Sequence, residues 1–142
     1  MISEYTWLIF HEIGHGLIAA PLALFVWHKS HSLKNVLILM VVTYFMDLDH
    51  LVDFWLTKGI NLNINEFLSV NYFEEAGRAI VLLHGWEYVA ILGFLGHKRG
   101  FKSYYTSISL GMFMHLVLDS FNIKSILFYS FVYRLLINFA TI

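Results

Sequence analysis

The stretch at 34–56 reads KNVLILMVVTYFMDLDHLVDFWL. It has the length and apolar content of a membrane-crossing helix, which needs about 20 mostly apolar residues. Yet Asp47, Asp49, His50 and Asp53 crowd its C-terminal end. An aspartate at the centre of a bilayer costs about 2.5–3.5 kcal/mol on an insertion scale. Several intramembrane carboxylates therefore cost on the order of 10 kcal/mol unless something neutralises them. What neutralises them decides how the chain folds and what it does.

Outward from this stretch, the rest of the chain has the same character. Of its 142 residues, 58% are hydrophobic and only 13% charged, about half the charged fraction of a soluble domain. Runs at 5–27, 77–96 and 104–121 are also long and apolar enough to span, and a fifth at 123–142, holding Arg134, suits either a span or an interfacial helix. The first run lacks a basic leader and carries His and Glu, so it reads as a span rather than a signal peptide. The expected fold is all-α: a polytopic membrane helical bundle of four to five transmembrane helices, forming one integral-membrane domain over 1–142. The single proline and the lack of linker-like stretches give no second domain. No cysteine is present, which excludes disulfides and thiolate metal sites. A net charge of −1 without a basic stripe excludes nucleic acid as an expected partner. Lys29 and Lys34 flank the first short loop and Lys98, Arg99 and Lys102 mark the third, so the positive-inside rule places those loops in the cytoplasm and the N-terminus outside.

With that orientation, the ionisable residues fall at one depth. At 1.5 Å per residue, His11 and His15 in the first run, Asp47, Asp49 and His50 in the second, His84 and Glu87 in the third, and His115 and Asp119 in the fourth all lie roughly 3–15 Å from the outer ends of their spans. His115 and Asp119 are an i,i+4 pair, His84 and Glu87 an i,i+3 pair, and His11 and His15 an i,i+4 pair with Glu12 alongside, so each pair shares a helix face. The spans can thus turn their polar groups into one cavity in the extracytoplasmic half of the membrane. A cation coordinated there offsets the burial of the carboxylates. His28, His31 and His97 lie in or beside loops and need no such account. Asp53 sits close enough to the span end to be a solvated interfacial charge.

HEIGH at 11–15 also fits H-E-x-x-H, in which two histidines one turn apart hold zinc and the glutamate activates water. An intramembrane zinc metalloprotease is therefore one alternative function. The partner motif of such proteases, an Asp on an N-P-D-G or L-D-G turn, is absent.

The order of His15 with Gly16, then DLDH (Asp47, Asp49, His50), a middle His84, and HLVLD (His115 to Asp119) across apolar spans resembles the YdjM-like, LexA-regulated family of membrane-bound metal-dependent hydrolases. The middle motif is shorter here, HGWE at 84–87 in place of HRGxTHS, and Met46 stands where a proline often precedes DxDH. The resemblance implies a metal-dependent hydrolase. The resulting expectation is one or two divalent ions held by His11, His15, Asp47, Asp49, His50, His84, His115 and Asp119, activating water against a phosphoester. Mixed His/carboxylate ligation suits zinc, with manganese, iron or magnesium as alternatives. More ligands than one tetrahedral site needs point to two ions. Glu12 or Glu87 is the expected general base or leaving-group acid. A membrane lipid or lipid-linked molecule is the expected substrate, with Arg134 meeting its headgroup and the 57–76 connection lying over the mouth as an interfacial lid. A metal or ion transporter, or a metal-binding protein without catalysis, is the other alternative. The cytoplasmic halves of the spans hold no ionisable residue to continue a path, which argues for an enzyme over a conduit.

Overall fold

The structure, a computed structural model, describes residues 4–141 and is helical, with no β-strand among them. Helix α1 (Glu4–Ser30) is followed after two residues by α2 (Leu33–Phe45), which continues through a 3-10 turn (Met46–Asp49) into α3 (His50–Lys58). The tight α1–α2 connection is made by His31 in the left-handed region (φ 51) and by Ser32, whose hydroxyl accepts from the Asn35 N–H and caps α2. Two short helices follow, α4 (Ile64–Leu68) and α5 (Tyr72–Ala76), and then α6 (Trp86–His97), α7 (Tyr104–Asn122) and α8 (Phe131–Leu136). Two helices, Leu8–Ser30 and Leu33–Lys58, are long and apolar enough to cross a membrane.

The second helix of this kind runs past its aspartates without breaking. The third apolar run does not behave as its hydropathy suggests. Only 86–97 of it is helical, about 18 Å of rise and well short of a bilayer's hydrocarbon core. Residues 78–85 are irregular, and the reason is chemical. Asp53 accepts from the N–H groups of Ile80 (2.6 Å) and Val81 (2.9 Å), and Asp49 accepts from that of Leu83 (2.6 Å). These carboxylates take the donors that a helix would have used internally. Val81, β-branched, is held at φ 35, a conformation such residues rarely adopt. It persists because both its polar groups are fixed, the N–H by Asp53 and the carbonyl by Arg134 at 3.1 Å. Asp53 is therefore buried structure and not a solvated interfacial charge.

The fifth apolar run neither spans nor lies as one interfacial helix. It breaks into a 3-10 turn (Leu127–Tyr129) and α8, then returns to the irregular loop through Ala79 N–H to Phe139 O (2.8 Å) and an isolated bridge between Arg78 and Ala140. Arg134, fully buried, donates to the carbonyls of Phe128 and Val81 and ties the two segments together.

Helix α7 is the centre of the packing, lying against α1, α2 and α6. Its approach to α2 requires a residue without a side chain at Gly111, where an added Cβ falls 2.6 Å from the Leu39 carbonyl oxygen. Beside it the Thr43 hydroxyl donates to Leu39 O (2.9 Å) and reaches Gly111 O (3.3 Å). Gly111→Ala must push the two helices apart, so we expect a loss of about 1–3 kcal/mol, read as a lower thermal midpoint of the purified protein. An unchanged midpoint would show that the contact yields freely.

The distribution of polarity is inverted relative to a water-soluble domain. His15, Thr43, His84, Ser107, His115 and Arg134 are fully buried, whereas Phe10, Leu17, Leu24, Leu37, Ile91 and Phe94 are each more than half exposed. The helices enclose a polar interior beside two buried apolar clusters, one around Met112 and Leu116 and one around Ala19, Val26 and Leu39.

Candidate metal centre

Four elements converge on that polar interior. Helix α1 brings His11, Glu12 and His15; the 3-10 turn brings Asp47 and Asp49; the irregular loop brings His84; and α7 brings His115 and Asp119. The i,i+4 spacings do as expected on α1 and α7, setting each pair one turn apart on the inward face.

The tightest group is Asp47, His84, His115 and Asp119. His84 Nε2 lies 3.0 Å from His115 Nε2, 3.3 Å from Asp47 Oδ1 and 3.4 Å from Asp119 Oδ2. His115 Nε2 lies 3.3 Å from Asp47 Oδ1 and 3.0 Å from Asp119 Oδ2. Four ligands at zinc-like distances of 2.0–2.1 Å in a tetrahedron stand about 3.3 Å from one another. Five of the six edges here have that length.

The hydrogen bonds behind the ligands decide what the four atoms can be. His115 Nδ1 is 2.7 Å from the Thr43 carbonyl oxygen, an acceptor only, so the proton sits on Nδ1 and the Nε2 lone pair faces inward. His84 Nδ1 donates to Asp49 Oδ2 at 3.1 Å, which orients its Nε2 in the same way. Two imidazole lone pairs and two carboxylate oxygens thus meet with no donor among them. Only positive charge, a proton or a metal ion, reconciles them at 3.0–3.4 Å. Histidines that donate their outer N–H to a carboxylate or a backbone carbonyl are the usual support of metal ligands. These buried groups could hold a metal ion.

A second group lies against the first. His11 Nε2 and His15 Nε2 are 3.0 Å apart, and Asp119 Oδ1 is 3.3 Å and 3.4 Å from them. The Asn122 amide lies 2.9 Å from His11 Nδ1 and fixes that ring. His15 and His115 stack with centroids 4.0 Å apart and planes 7° apart. Asp119 consequently offers one oxygen to each group.

The remaining candidates are spread around these two. His50 sits at the fringe, its Nε2 3.6 Å from Asp47 Oδ1 and 4.0 Å from Asp49 Oδ1, with its ring stacked on His84. Asp49, His50 and His84 form a third group of ligand atoms, but two of Asp49's contacts, to Leu83 N and His84 Nδ1, are supporting ones. Glu12 lines the adjoining cavity together with Asp47 and Asp119. Glu87 is placed elsewhere: it accepts from Phe131 N–H (3.0 Å), Val132 N–H (3.2 Å) and the Ser130 hydroxyl, capping α8. Arg134 does not face the cavity either, being committed to Phe128 and Val81. The sequence had pointed to neither Asn122 nor Thr43. Asn122 was within reach of such reasoning, since it lies one turn beyond Asp119 on the same face of α7. The Thr43 carbonyl carries no side-chain signal.

The 57–76 connection folds as α4 and α5 beside the cavity, where Phe67, Leu68, Val70 and Phe73 form part of its wall. Lys58 pairs with Glu66 (3.0 Å) and Glu75 across this segment. Compared with known proteins, the chain matches no family model, no curated protein and no solved structure, so the resemblance to YdjM-like hydrolases rests on the quoted motifs alone.

Proposed function

We propose that the protein is a membrane-embedded, multi-pass, metal-dependent hydrolase acting on a phosphoester of a lipid or lipid-linked substrate in the outer leaflet. The observation that carries this reading is the close cage of Asp47, His84, His115 and Asp119 beside a cavity with a largely apolar lining. The inverted polarity supports a bilayer as solvent: apolar side chains face outward and the ionisable groups face each other.

The number of ions follows from Asp119. Asp119 offers one oxygen to each ligand set, so one ion would be held by the four-residue cage and a second by His11 and His15 with Asp119. His/carboxylate donors without thiolate suit zinc best, with manganese or iron next. Bound there, divalent ions polarise a substrate oxygen and make water acidic enough to attack at neutral pH. Charge balance links the metal count to the substrate. Asp47, Asp119 and Glu12 carry three negative charges when ionised and no lysine or arginine lines the cavity among the described residues. With Asp49 behind His84 counted as the fourth carboxylate, one divalent ion leaves the site negative and repels a phosphate; two neutralise it and let one approach.

Glu12 stands on the cavity side of the ligands, placed to take a proton from the attacking water. We expect Glu12→Gln to keep its metal and lose roughly 10²–10⁴ in turnover. The check is metal content by mass spectrometry together with phosphate release from lipid phosphates in mixed micelles. Metal in the wild type that disappears in Asp47→Ala with His115→Ala supports the site, and a metal-free wild type sinks the reading. The trio His11, His15 and Asp119 with Glu12 nearby favours a second reading, intramembrane proteolysis through HEIGH. Cleavage of a membrane-spanning peptide without phosphate release would select it.

A further inference from the structure

The cavity beside the cluster has about 390 Å³, a volume within the range of small-ligand pockets. Its lining combines the carboxylates Glu12, Asp47 and Asp119 with the apolar side chains of Leu8, Leu48, Phe67 and Leu68. Tyr72, from α5, also lines it. That side chain is about 1% exposed, yet its hydroxyl has no hydrogen-bond partner among the described residues. A buried hydroxyl without a partner is destabilising and calls for an explanation. Its ring is fixed by an edge contact with Phe54 (5.4 Å) and stacking on Phe67 (6.1 Å, 9°), so the hydroxyl is held in place. Its electrostatic neighbours are the carboxylates of Asp53, Asp47 and Asp49. In a site built from acceptors, Tyr72 supplies an uncommitted O–H.

We propose that this cavity binds a single acyl or alkyl chain bearing an anionic, oxygen-rich headgroup, with the chain between Leu48 and α4, the headgroup at Asp47 and Asp119, and the Tyr72 hydroxyl donating to a headgroup oxygen. The proposal rests on the metal-hydrolase reading, because the headgroup meets metal at those carboxylates. It narrows the substrate class to a one-chain amphiphile and gives α4 and α5 a part in recognising it. An inorganic anion offers the same oxygens without the chain, and the two are separable by experiment.

The test uses the metal-loaded full chain in phosphatidylcholine nanodiscs, with dodecyl phosphate and inorganic phosphate as probes. Wild type should bind dodecyl phosphate at least about tenfold more tightly than inorganic phosphate, since apolar contact adds to the headgroup. Leu48→Trp, at a half-exposed position that tolerates change, should abolish that preference. Tyr72→Phe should weaken dodecyl phosphate roughly tenfold, the value of one hydrogen bond. It should leave metal content unchanged and the ligand-free thermal midpoint unchanged or higher, because the deleted hydroxyl has no partner. Equal affinity of wild type and Tyr72→Phe, or a lower ligand-free midpoint in Tyr72→Phe, assigns the hydroxyl a structural role and overturns the proposal. Equal affinity of wild type for the two probes overturns the amphiphile. Metal-loaded protein that binds neither probe sinks this inference and leaves the metal centre standing, whereas wild type without metal sinks both.

Discussion

Replacing Asp119 by asparagine should empty both metal positions at once. Its two oxygens serve different ligand sets, Oδ2 with His84 and His115 and Oδ1 with His11 and His15. The amide keeps one acceptor, turns an N–H₂ toward the other set and removes the charge that both cations need. Affinity should fall at both positions by more than the 10–100-fold typical of outer-shell changes, leaving less than about half an equivalent of metal after purification, and turnover should vanish with it. His11→Gln is the informative contrast. It damages only the second group, so one equivalent should remain in the four-residue cage. If Asp119→Asn retains the wild-type metal content, the bridging assignment is wrong. Without metal, Asp119→Asn should lose stability as well, because it takes the anionic partner from His11, His15, His84 and His115.

The second large effect belongs to Asp53, which touches no metal ligand group. Its two oxygens accept from Ile80 and Val81 in the interior, and removing it strands both N–H groups while Val81 remains at positive φ. Charged hydrogen bonds of this kind are worth about 1.5–3 kcal/mol each, so Asp53→Ala should lose on the order of 3–5 kcal/mol. For a chain of this size that is a fall of roughly 10–20 °C in thermal midpoint. The loss should persist in chelator-treated protein, because Asp53 holds backbone N–H groups and no candidate ligand atom. Metal binding should weaken as well, since His84 is carried on the loop that Asp53 holds. A midpoint within about 3 °C of wild type would mean that the loop is secured by Arg134 and the 139–141 segment alone.

These two aspartates show how far the sequence could be read. Asp119 was legible. It lies one turn from His115, and carboxylates near histidines within apolar runs have few inexpensive explanations. The inward faces of α1 and α7 followed from the same local spacing. Asp53 was not legible, because its partners are backbone N–H groups 27 and 28 positions away, and backbone donors leave no mark on a side-chain pattern. The third apolar run shows the same limit. Hydropathy sums the run at 77–96 and finds a span, but whether backbone donors close on each other or on a distant carboxylate is a tertiary matter. Glu87 shared a plausible spacing with His84 only while both were supposed to lie on one helix. Once 78–85 leaves the helix, the i,i+3 relation is void and Glu87 caps α8. Tyr72 carried no signal, since a tyrosine in a connection is ordinary until its hydroxyl is seen buried and unpaired.

The tie between the irregular loop and the last described segment has a consequence for biogenesis. Residues 78–84 leave the ribosome well before Arg134 and Phe139, the groups that fix the Val81 carbonyl and the Ala79 N–H. During that interval the loop that carries His84 is held by Asp49 and Asp53 alone. The loop reaches its full anchorage only after residue 139 has emerged and folded back. On the metal-hydrolase reading, a complete centre therefore waits on the synthesis of this region.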